Sequence, residues 1–218
     1  MSLSMYFILY MIYSFIGWII DVIDIRVETK KWVNRGFLIG PYCPIYGWAA
    51  IFMTILLKKY HNDPIVLFFM SMVICATVEY LTSLVMEKIF KTRWWDYSNK
   101  RFNINGRICL ETMIPFGLLG VLLAYVLNPF FIGILSKLPS NITNIIAIIL
   151  LVIFLVDNII SYSIITKINI SASKLKVDNT EEITKKIRNY IKNYSSFGKR
   201  LINSFPNVKF LRKNKKQR

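Results

Sequence analysis

The feature that most constrains this chain is a series of five apolar runs, each close to the length that crosses a bilayer. A membrane span needs about 20 mostly apolar residues, whereas a helix in a soluble protein keeps one polar face. Hydrophobic residues make up 55% of the 218 residues, and the mean hydropathy is +0.45. We therefore predict an all-α, polytopic membrane helix bundle of about five transmembrane helices. The runs cover residues 4–25, 42–57, 64–86, 108–131 and 141–166.

The first run ends in two carboxylates, Asp21 and Asp24, and it lacks a basic n-region and a small-residue cleavage site. These features favour a retained helix over a removed signal peptide. The two carboxylates share one helix face with Tyr10, Ser14 and Gly17, because these residues recur at steps of three and four. We expect this polar face to point into the bundle.

The formal net charge is +16, and its distribution indicates membrane topology more than nucleic-acid binding. Basic side chains are abundant in the first and third loops and scarce in the second and fourth. An odd number of spans produces this alternation under the positive-inside rule. We therefore predict a cell-membrane protein with its amino terminus outside and its carboxyl tail cytoplasmic, and the second run counts as a span. The loop residues are Arg26, Lys30, Lys31, Arg35, Lys58, Lys59, Lys88, Lys91, Arg93, Lys100, Arg101, Arg107 and Lys137.

Two regions follow from this pattern, a transmembrane domain over residues 1–166 and a basic tail over 167–218. The tail has an apolar helical stripe among lysines, which predicts an amphipathic helix lying on anionic lipid headgroups. Its polybasic end, 209–218, is expected to be disordered, and we expect no specific nucleic-acid partner. The stripe consists of Ile183, Ile187, Tyr190, Ile191 and Tyr194.

Glycine, proline and aromatic residues concentrate at 36–48, where the chain enters the second run. Pro41 and Pro44 disfavour a continuous helix there. Irregular backbone at membrane depth survives only where protein or water surrounds it. Two interpretations stay open: a re-entrant or broken-helix entry, and an interfacial loop that ends in a proline-initiated helix.

Four spans each carry one carboxylate in the predicted cytoplasmic half of the bilayer. A carboxylate in hydrocarbon costs on the order of a few kcal/mol, and its default interpretation is functional. Arg93 and Arg107 are the nearest counter-charges, and Arg107 can also pair with the carboxylate four residues later. We predict one acidic substrate- or ion-binding site with these arginines at its cytoplasmic mouth, and a structural packing role for Glu79 stays as the alternative. The four carboxylates are Asp21, Glu79, Glu111 and Asp157.

An aromatic and basic block lies in the third loop, directly after the Glu79 span. Aromatic rings interleaved with basic side chains are typical of the headgroup region, so we predict an interfacial motif. Asn105 and Gly106 then have turn chemistry that returns the chain to the membrane. The motif consists of Trp94, Trp95, Asp96 and Tyr97.

Catalytic and metal-binding signatures are missing from the sequence. Cys43, Cys75 and Cys109 form no C-x-x-C pair and are expected to be buried thiols. His61 is the single histidine, which argues against a histidine-based metal site or a Ser-His-Asp triad. There is also no Walker loop, no G-x-S-x-G elbow and no H-E-x-x-H. We assign no catalytic residue, metal or cofactor.

Four elements of the sequence carry a resemblance to a known family: 36–47, Glu79-Tyr80 with Glu87, 94–98, and 102–110. At these residues the chain resembles the CmpB-type ABC-transporter permeases, a family of bacterial polytopic membrane proteins. The resemblance covers about residues 5 to 165 and leaves the basic tail outside. It implies a role in transport and a separate ATPase subunit as partner. Because five spans cannot form two equal inverted halves, an inverted-repeat transporter would need a homodimer.

Three functions stay open from the sequence. The first is a transporter permease whose intramembrane acidic site opens to the cytoplasm and couples to protons or cations. The second is a membrane-embedded enzyme acting on lipid or polyprenyl phosphates, with carboxylates and arginines for acid–base work or a divalent ion. The third is a non-catalytic assembly or regulatory membrane protein anchored by its basic tail.

Overall fold

The computed structural model describes residues 1–30, 32–34, 36–90, 92–173, 200 and 209–210, and this part of the chain is mainly α-helical. The all-α prediction is confirmed. A 3-10 turn, Lys58–Tyr60, precedes the third helix, and a π-helical turn, Leu123–Leu127, joins the fourth to the fifth. The predicted amphipathic stripe of the tail lies outside the described residues. The helices are α1 (Leu3–Thr29), α2 (Pro44–Leu56), α3 (Pro64–Phe90), α4 (Leu110–Leu122), α5 (Asn128–Leu135) and α6 (Ser140–Ser173).

Four helical stretches are long and apolar enough to cross a membrane. They coincide with the first, third, fourth and fifth apolar runs of the sequence, so the protein is a multi-pass membrane protein. In the third of these stretches, α4, the π-helical turn and α5 form one continuous span. The stretches are Leu3–Val27, Pro64–Phe90, Leu110–Leu135 and Ser140–Thr166.

The second apolar run differs from its prediction, because α2 has 13 residues and begins at Pro44. At 1.5 Å per residue such a helix is about 20 Å long, whereas the hydrocarbon core is about 30 Å thick. Proline fits the first turn of a helix but blocks its extension toward the amino terminus. The predicted span over 42–57 is therefore a short helix that cannot cross the bilayer alone.

A non-helical stretch before α2 folds back along α1 and adds to the length of the short helix. The Trp18 indole N–H donates to Asn34 Oδ1 at 2.7 Å, and the backbone N–H of Cys43 donates to the Ser14 carbonyl at 2.8 Å. The chain thus returns from the end of α1 to its middle before α2 starts. Of the two interpretations, the re-entrant entry matches this geometry. We name residues 36–43 the re-entrant segment.

Close helix crossings depend on glycines that face small polar side chains. A Cβ on Gly47 of α2 would overlap Ser14 Oγ of α1, and a Cβ on Gly120 of α4 would overlap Ser71 Oγ of α3. Ser14 and Ser71 are fully buried, as is usual where membrane helices approach through small residues. The predicted polar face of α1 therefore does point inward at its centre, while Asp24 at its end is exposed.

The outer surface of the bundle is apolar, as a lipid-facing surface requires. On α6, Ile145, Ile148 and Ile159 are more than half exposed, whereas Asp157 and Ser161 are buried on the inner face. The three cysteines are buried and form no disulfide, which confirms the prediction for them. The chain thus turns its few polar groups toward its own interior and its isoleucines outward.

The loop between α3 and α4 contains three short strands. They are β1 (Thr92–Arg93), β2 (Asn103–Ile104) and β3 (Ile108–Cys109), and β2 pairs antiparallel with β3. Asn105 and Gly106 have positive φ angles of 53° and 65°, the conformation that both central residues of a type I′ hairpin turn require. The described part of the tail adds β4 (Lys209–Phe210), which pairs antiparallel with β1.

Candidate functional site

Glu79 lies on the inner face of α3 and is 7% exposed. Ala76 and Ser83, one turn to either side, are buried on the same face. The Tyr97 hydroxyl donates to Glu79 Oε1 at 3.1 Å. The other oxygen, Oε2, is buried and accepts no hydrogen bond from any residue that the structure describes. Glu79 is therefore a buried carboxylate with half of its acceptor capacity unused.

Asp21 of α1 is the carboxylate whose charge reaches Glu79. The Tyr46 hydroxyl donates to Asp21 Oδ1 at 2.6 Å, and the Cys43 thiol approaches Oδ2 at 3.6 Å. Close approach of α1 and α2 makes this possible, because a Cβ on Gly17 would overlap the Tyr46 ring. We name these two carboxylates the Asp21–Glu79 pair. A nearby like charge disfavours the charged form of a carboxylate, and a proton or a bound cation relieves this repulsion.

Glu87, which is not among the predicted site residues, forms ion pairs with both arginines. Its Oε2 lies 3.0 Å from Arg93 Nε and 3.0 Å from Arg107 Nη1. Arg107 also donates to Ser83 Oγ at 3.0 Å, and its guanidinium lies over the Tyr80 ring at 5.8 Å. Arg107 is 9% exposed and Glu87 is half-buried, so this ion pair is largely shielded from solvent. We name Glu87, Arg93 and Arg107 the Glu87 cluster.

The sequence contained a pattern that could have identified Glu87. It follows Ser83 by four residues and Glu79 by eight, so it continues the same helix face, and basic residues come directly after it. The Arg107–Glu111 pairing that the spacing allowed does not form. Arg107 precedes the start of α4 at Leu110, so the two side chains do not share a helical turn.

The aromatic block at 94–97 makes contacts inside the protein, and its location in the headgroup region stays a prediction. Trp94 is buried against Phe37 and Phe90. The Trp95 indole N–H donates to the Arg107 carbonyl at 3.1 Å. Trp95 and Tyr97 therefore direct their polar groups to partners within the protein, and Trp94 packs its ring against aromatic residues.

Asp96 closes the turn that presents Tyr97. Its Oδ1 accepts the backbone N–H of Ser98 at 3.1 Å and lies 3.6 Å from Arg93 Nη1. The Tyr97 backbone N–H donates to the Gly106 carbonyl at 2.7 Å. The block and the β2–β3 hairpin therefore form one folded lid over α3.

Asp157 belongs to a different cluster from Glu79. Its two oxygens accept the backbone N–H groups of Ile39 at 2.9 Å and Gly40 at 2.7 Å, the Tyr42 hydroxyl at 2.5 Å and the Ser161 hydroxyl at 2.8 Å. These four hydrogen bonds fill its acceptor positions. Asp157 therefore holds the re-entrant segment against α6, and such a role explains its burial.

Arg200 of the tail lies on the other side of the re-entrant segment. Its guanidinium donates to the carbonyl oxygens of Gly36, Leu38 and Ile39. Burial lowers the pKa of this guanidinium, and the charge of Asp157 opposes that change. The segment is thus bound by a carboxylate through its N–H groups and by a guanidinium through its carbonyls.

Glu111 lies apart from the other predicted residues. Its side chain is 65% exposed and pairs with Lys100 at 2.9 Å. It lines a shallow surface pocket with Phe102 and Ile114. The structure therefore places Asp21 where its charge reaches Glu79, places Arg93 and Arg107 beside Glu87, and gives Asp157 and Glu111 other partners. Among the described residues, no group of three or more His, Cys, Asp or Glu side chains could hold a metal ion.

Comparison with known proteins identifies the family. The family model described as "Putative ABC-transporter type IV", CmpB type, matches residues 8–162. No curated protein and no solved structure matches the chain significantly. The matched region runs from α1 to the polar inner face of α6 and includes the Asp21–Glu79 pair and the lid. The resemblance seen in the sequence is confirmed: the chain belongs to this CmpB-type family of ABC-transporter-like membrane proteins.

Proposed function

We propose that this protein is the membrane-embedded permease of a transporter, and that the Asp21–Glu79 pair is its proton- or cation-binding site, open toward the cytoplasm. The observation that carries the proposal is Glu79 Oε2, a buried carboxylate oxygen without a hydrogen-bond donor among the described residues. Asp21 lies close enough to act on it electrostatically. A proton or a small cation between the two carboxylates would satisfy both charges.

The comparison with Asp157 supports a ligand-binding role for Glu79. Asp157 shows how this chain satisfies a carboxylate that only holds structure, with four donors on its two oxygens. Glu79 is equally buried but has one donor, Tyr97. Leaving a buried polar atom unsatisfied costs about 1–3 kcal/mol, and more for a charged group. Retaining such an atom is understandable where a ligand completes the site.

The lid and the Glu87 cluster form the proposed cytoplasmic mouth. Tyr97 reaches from the lid to Glu79, and Arg107 reaches from the same loop to Ser83, one turn further along α3. A movement of the lid would therefore uncover Glu79 and separate Arg107 from Glu87 together. The positive-inside distribution of basic residues supports a cytoplasmic position for this loop.

The family description supports an ABC-transporter context, and we propose a separate ATPase subunit as partner. A homodimer is the other assembly that we propose. We also propose that the basic tail contacts anionic headgroups of the cell membrane. Native mass spectrometry of the protein extracted from its own membranes tests the assembly. A complex of one or two copies with an ATPase supports the proposal, and a lone monomer contradicts it.

Chemical labelling tests the acidic site directly. Dicyclohexylcarbodiimide is an apolar reagent that modifies protonated carboxyl groups in apolar surroundings. We expect mass spectrometry to find the label on Glu79 in purified protein, and to find less of it when sodium ions are added. Glu111 and Asp157 serve as internal controls, since one is exposed and the other is fully hydrogen-bonded. Labelling that skips Glu79 would contradict the assignment.

Ion flux in proteoliposomes tests the function. An entrapped pH-sensitive dye reports protons, and radioactive sodium reports the cation. We expect the Glu79→Gln variant to lose at least about tenfold in flux, because the amide can neither carry a proton nor balance a cation. The matched control is Glu111→Gln, which removes a carboxylate from the surface and should keep the wild-type flux. Equal flux in both variants, reconstituted in equal amounts, would refute the proposal.

A further inference from the structure

The re-entrant segment presents a row of backbone oxygens to one side chain of the tail. Arg200 Nη1 donates to the Ile39 carbonyl at 2.9 Å, and Nη2 donates to the Leu38 carbonyl at 2.6 Å and the Gly36 carbonyl at 3.3 Å. Three carbonyl oxygens within reach of one planar cation form a geometry that suits a guanidinium, which carries several N–H donors in a fixed plane.

The same peptides have a negative charge on their other side. Asp157 accepts the N–H groups of Ile39 and Gly40, so the positive N–H ends of these two peptides face the carboxylate and their negative carbonyl ends face the guanidinium. The charge of Asp157 also favours the charged form of Arg200. Non-helical backbone at membrane depth needs partners for its carbonyls as well as for its N–H groups. A cation at this position provides them.

We propose that the carbonyl oxygens of Gly36, Leu38 and Ile39 form a binding site for cations with N–H donors, and that the chain fills this site with Arg200 of its own tail. A free guanidinium or alkylammonium group is the class of ligand that would compete for it. Occupancy locks the re-entrant segment between Arg200 and Asp157, and departure of the tail releases it. This site is separate from the Asp21–Glu79 pair and does not depend on the transport proposal.

A second contact supports docking of the tail onto the bundle. Lys209 and Phe210 form β4, which pairs antiparallel with β1, with Arg93 opposite Lys209 and Thr92 opposite Phe210. Arg93 belongs to the Glu87 cluster. The docked tail therefore touches both the re-entrant segment and the edge of the proposed mouth.

Hydrogen–deuterium exchange of the full-length protein tests the site. In Arg200→Ala, we expect the peptide that covers the re-entrant segment to exchange about tenfold faster or more, because its amides open more often when the carbonyls lose their partner. Millimolar guanidinium should restore slow exchange in the variant. Tetramethylammonium has the same charge but no N–H donor, and it should not. Arg101→Ala, which removes an exposed positive charge elsewhere, should exchange like the wild type.

Two results would overturn the proposal. One is unchanged exchange of the segment in Arg200→Ala, and the other is equal restoration by tetramethylammonium, which would indicate a general charge effect. Peptides from α3 report whether the variant is folded. If Arg200→Ala does not fold, Arg200→Lys provides the test, because an ammonium group cannot span three carbonyls in one plane. Exchange of the segment that is faster than in the wild type supports the site. Exchange at the wild-type rate contradicts it.

Discussion

Glu87 Oε2 and Arg107 Nη1 lie 3.0 Å apart, and this ion pair joins α3 to the loop that precedes α4. Arg107 is 9% exposed, and Arg93 contacts the same carboxylate oxygen. Breaking a buried ion pair by removing one partner is much more destabilising than breaking a surface pair, because the remaining charge stays buried without compensation. The pair therefore determines how firmly the lid is held on α3.

The Glu87→Gln variant should lose about 2 kcal/mol of stability, a value below that for fully buried pairs because Glu87 is partly exposed. The amide keeps the size of the side chain but leaves Arg107 without its anion and Arg93 with Asp96 alone. Thermal unfolding in detergent measures the loss. The exposed Lys100–Glu111 pair is the control, and Glu111→Gln should change stability by less than about 0.5 kcal/mol. Similar losses in the two variants would contradict the burial argument.

The Asp157→Asn variant should loosen the re-entrant segment. Asparagine retains one acceptor oxygen and places an NH2 group against the backbone N–H groups of Ile39 or Gly40. Maleimide labelling of Cys43, which is buried at the end of the segment, reports the change after Cys75 and Cys109 are replaced by serine. We expect labelling to accelerate about tenfold, as for a locally opened segment.

Ser163→Ala is the control for that measurement, since Ser163 is on the exposed face of α6 and bonds only its own helix. Its labelling rate should equal that of the parent. If Asp157→Asn also labels at the parent rate, Asp157 does not hold the segment.

Gly120→Ala should destabilise the packing of α3 on α4. The new Cβ would overlap Ser71 Oγ, a fully buried atom that has little room to move. Overpacking of this kind costs about 1–3 kcal/mol. Gly133→Ala is a matched control in the same span, because a Cβ there meets nothing within 4 Å. Melting temperatures measure both, and an equal shift in the two variants would show that the crossing tolerates a larger residue.

Gly106→Ala should displace the lid from Glu79. Gly106 has a φ of 65°, and its Cβ would meet Asp96 Oδ1 at 2.6 Å. Because the Gly106 carbonyl accepts the Tyr97 N–H, a shift of the turn moves Tyr97. We expect lower flux and stronger carbodiimide labelling of Glu79, while Gly133→Ala, whose new Cβ meets nothing within 4 Å, should leave both unchanged. Normal flux in Gly106→Ala would show that the conformation of this turn does not affect the Glu79 site.

The sequence was informative about Glu79 for a physical reason that is local. A carboxylate sixteen residues into an apolar helix must face protein, and Glu79 is indeed buried beside Ala76 and Ser83. The same reasoning placed Asp157 at a similar depth but could not decide its partner. Depth in the membrane does not identify the partner of a side chain. The partner of Asp157 also depends on the rotation of α6 about its axis and on the path of the re-entrant segment.

The aromatic block shows a second limit. Trp94, Trp95 and Tyr97 have the composition of headgroup anchors, yet each directs its ring or its polar atom inward. The residue type limits which contacts a side chain can make, but the tertiary structure determines which of these contacts form. Glu87 was missed for the same reason, because beside Lys88 and Lys91 it looked like an ordinary charge at a membrane interface.

The amino-acid sequence by itself determined the all-α membrane class, four long spans, the family and the polar faces of α1 and α3, because hydrophobic length and helical period are properties of contiguous residues. The tertiary structure alone decided which carboxylates meet. It placed Asp21 where its charge reaches Glu79, bound Asp157 to the re-entrant segment and left Glu111 at the surface. Those choices depend on hydrogen bonds between residues distant in sequence, and no local pattern encodes their geometry.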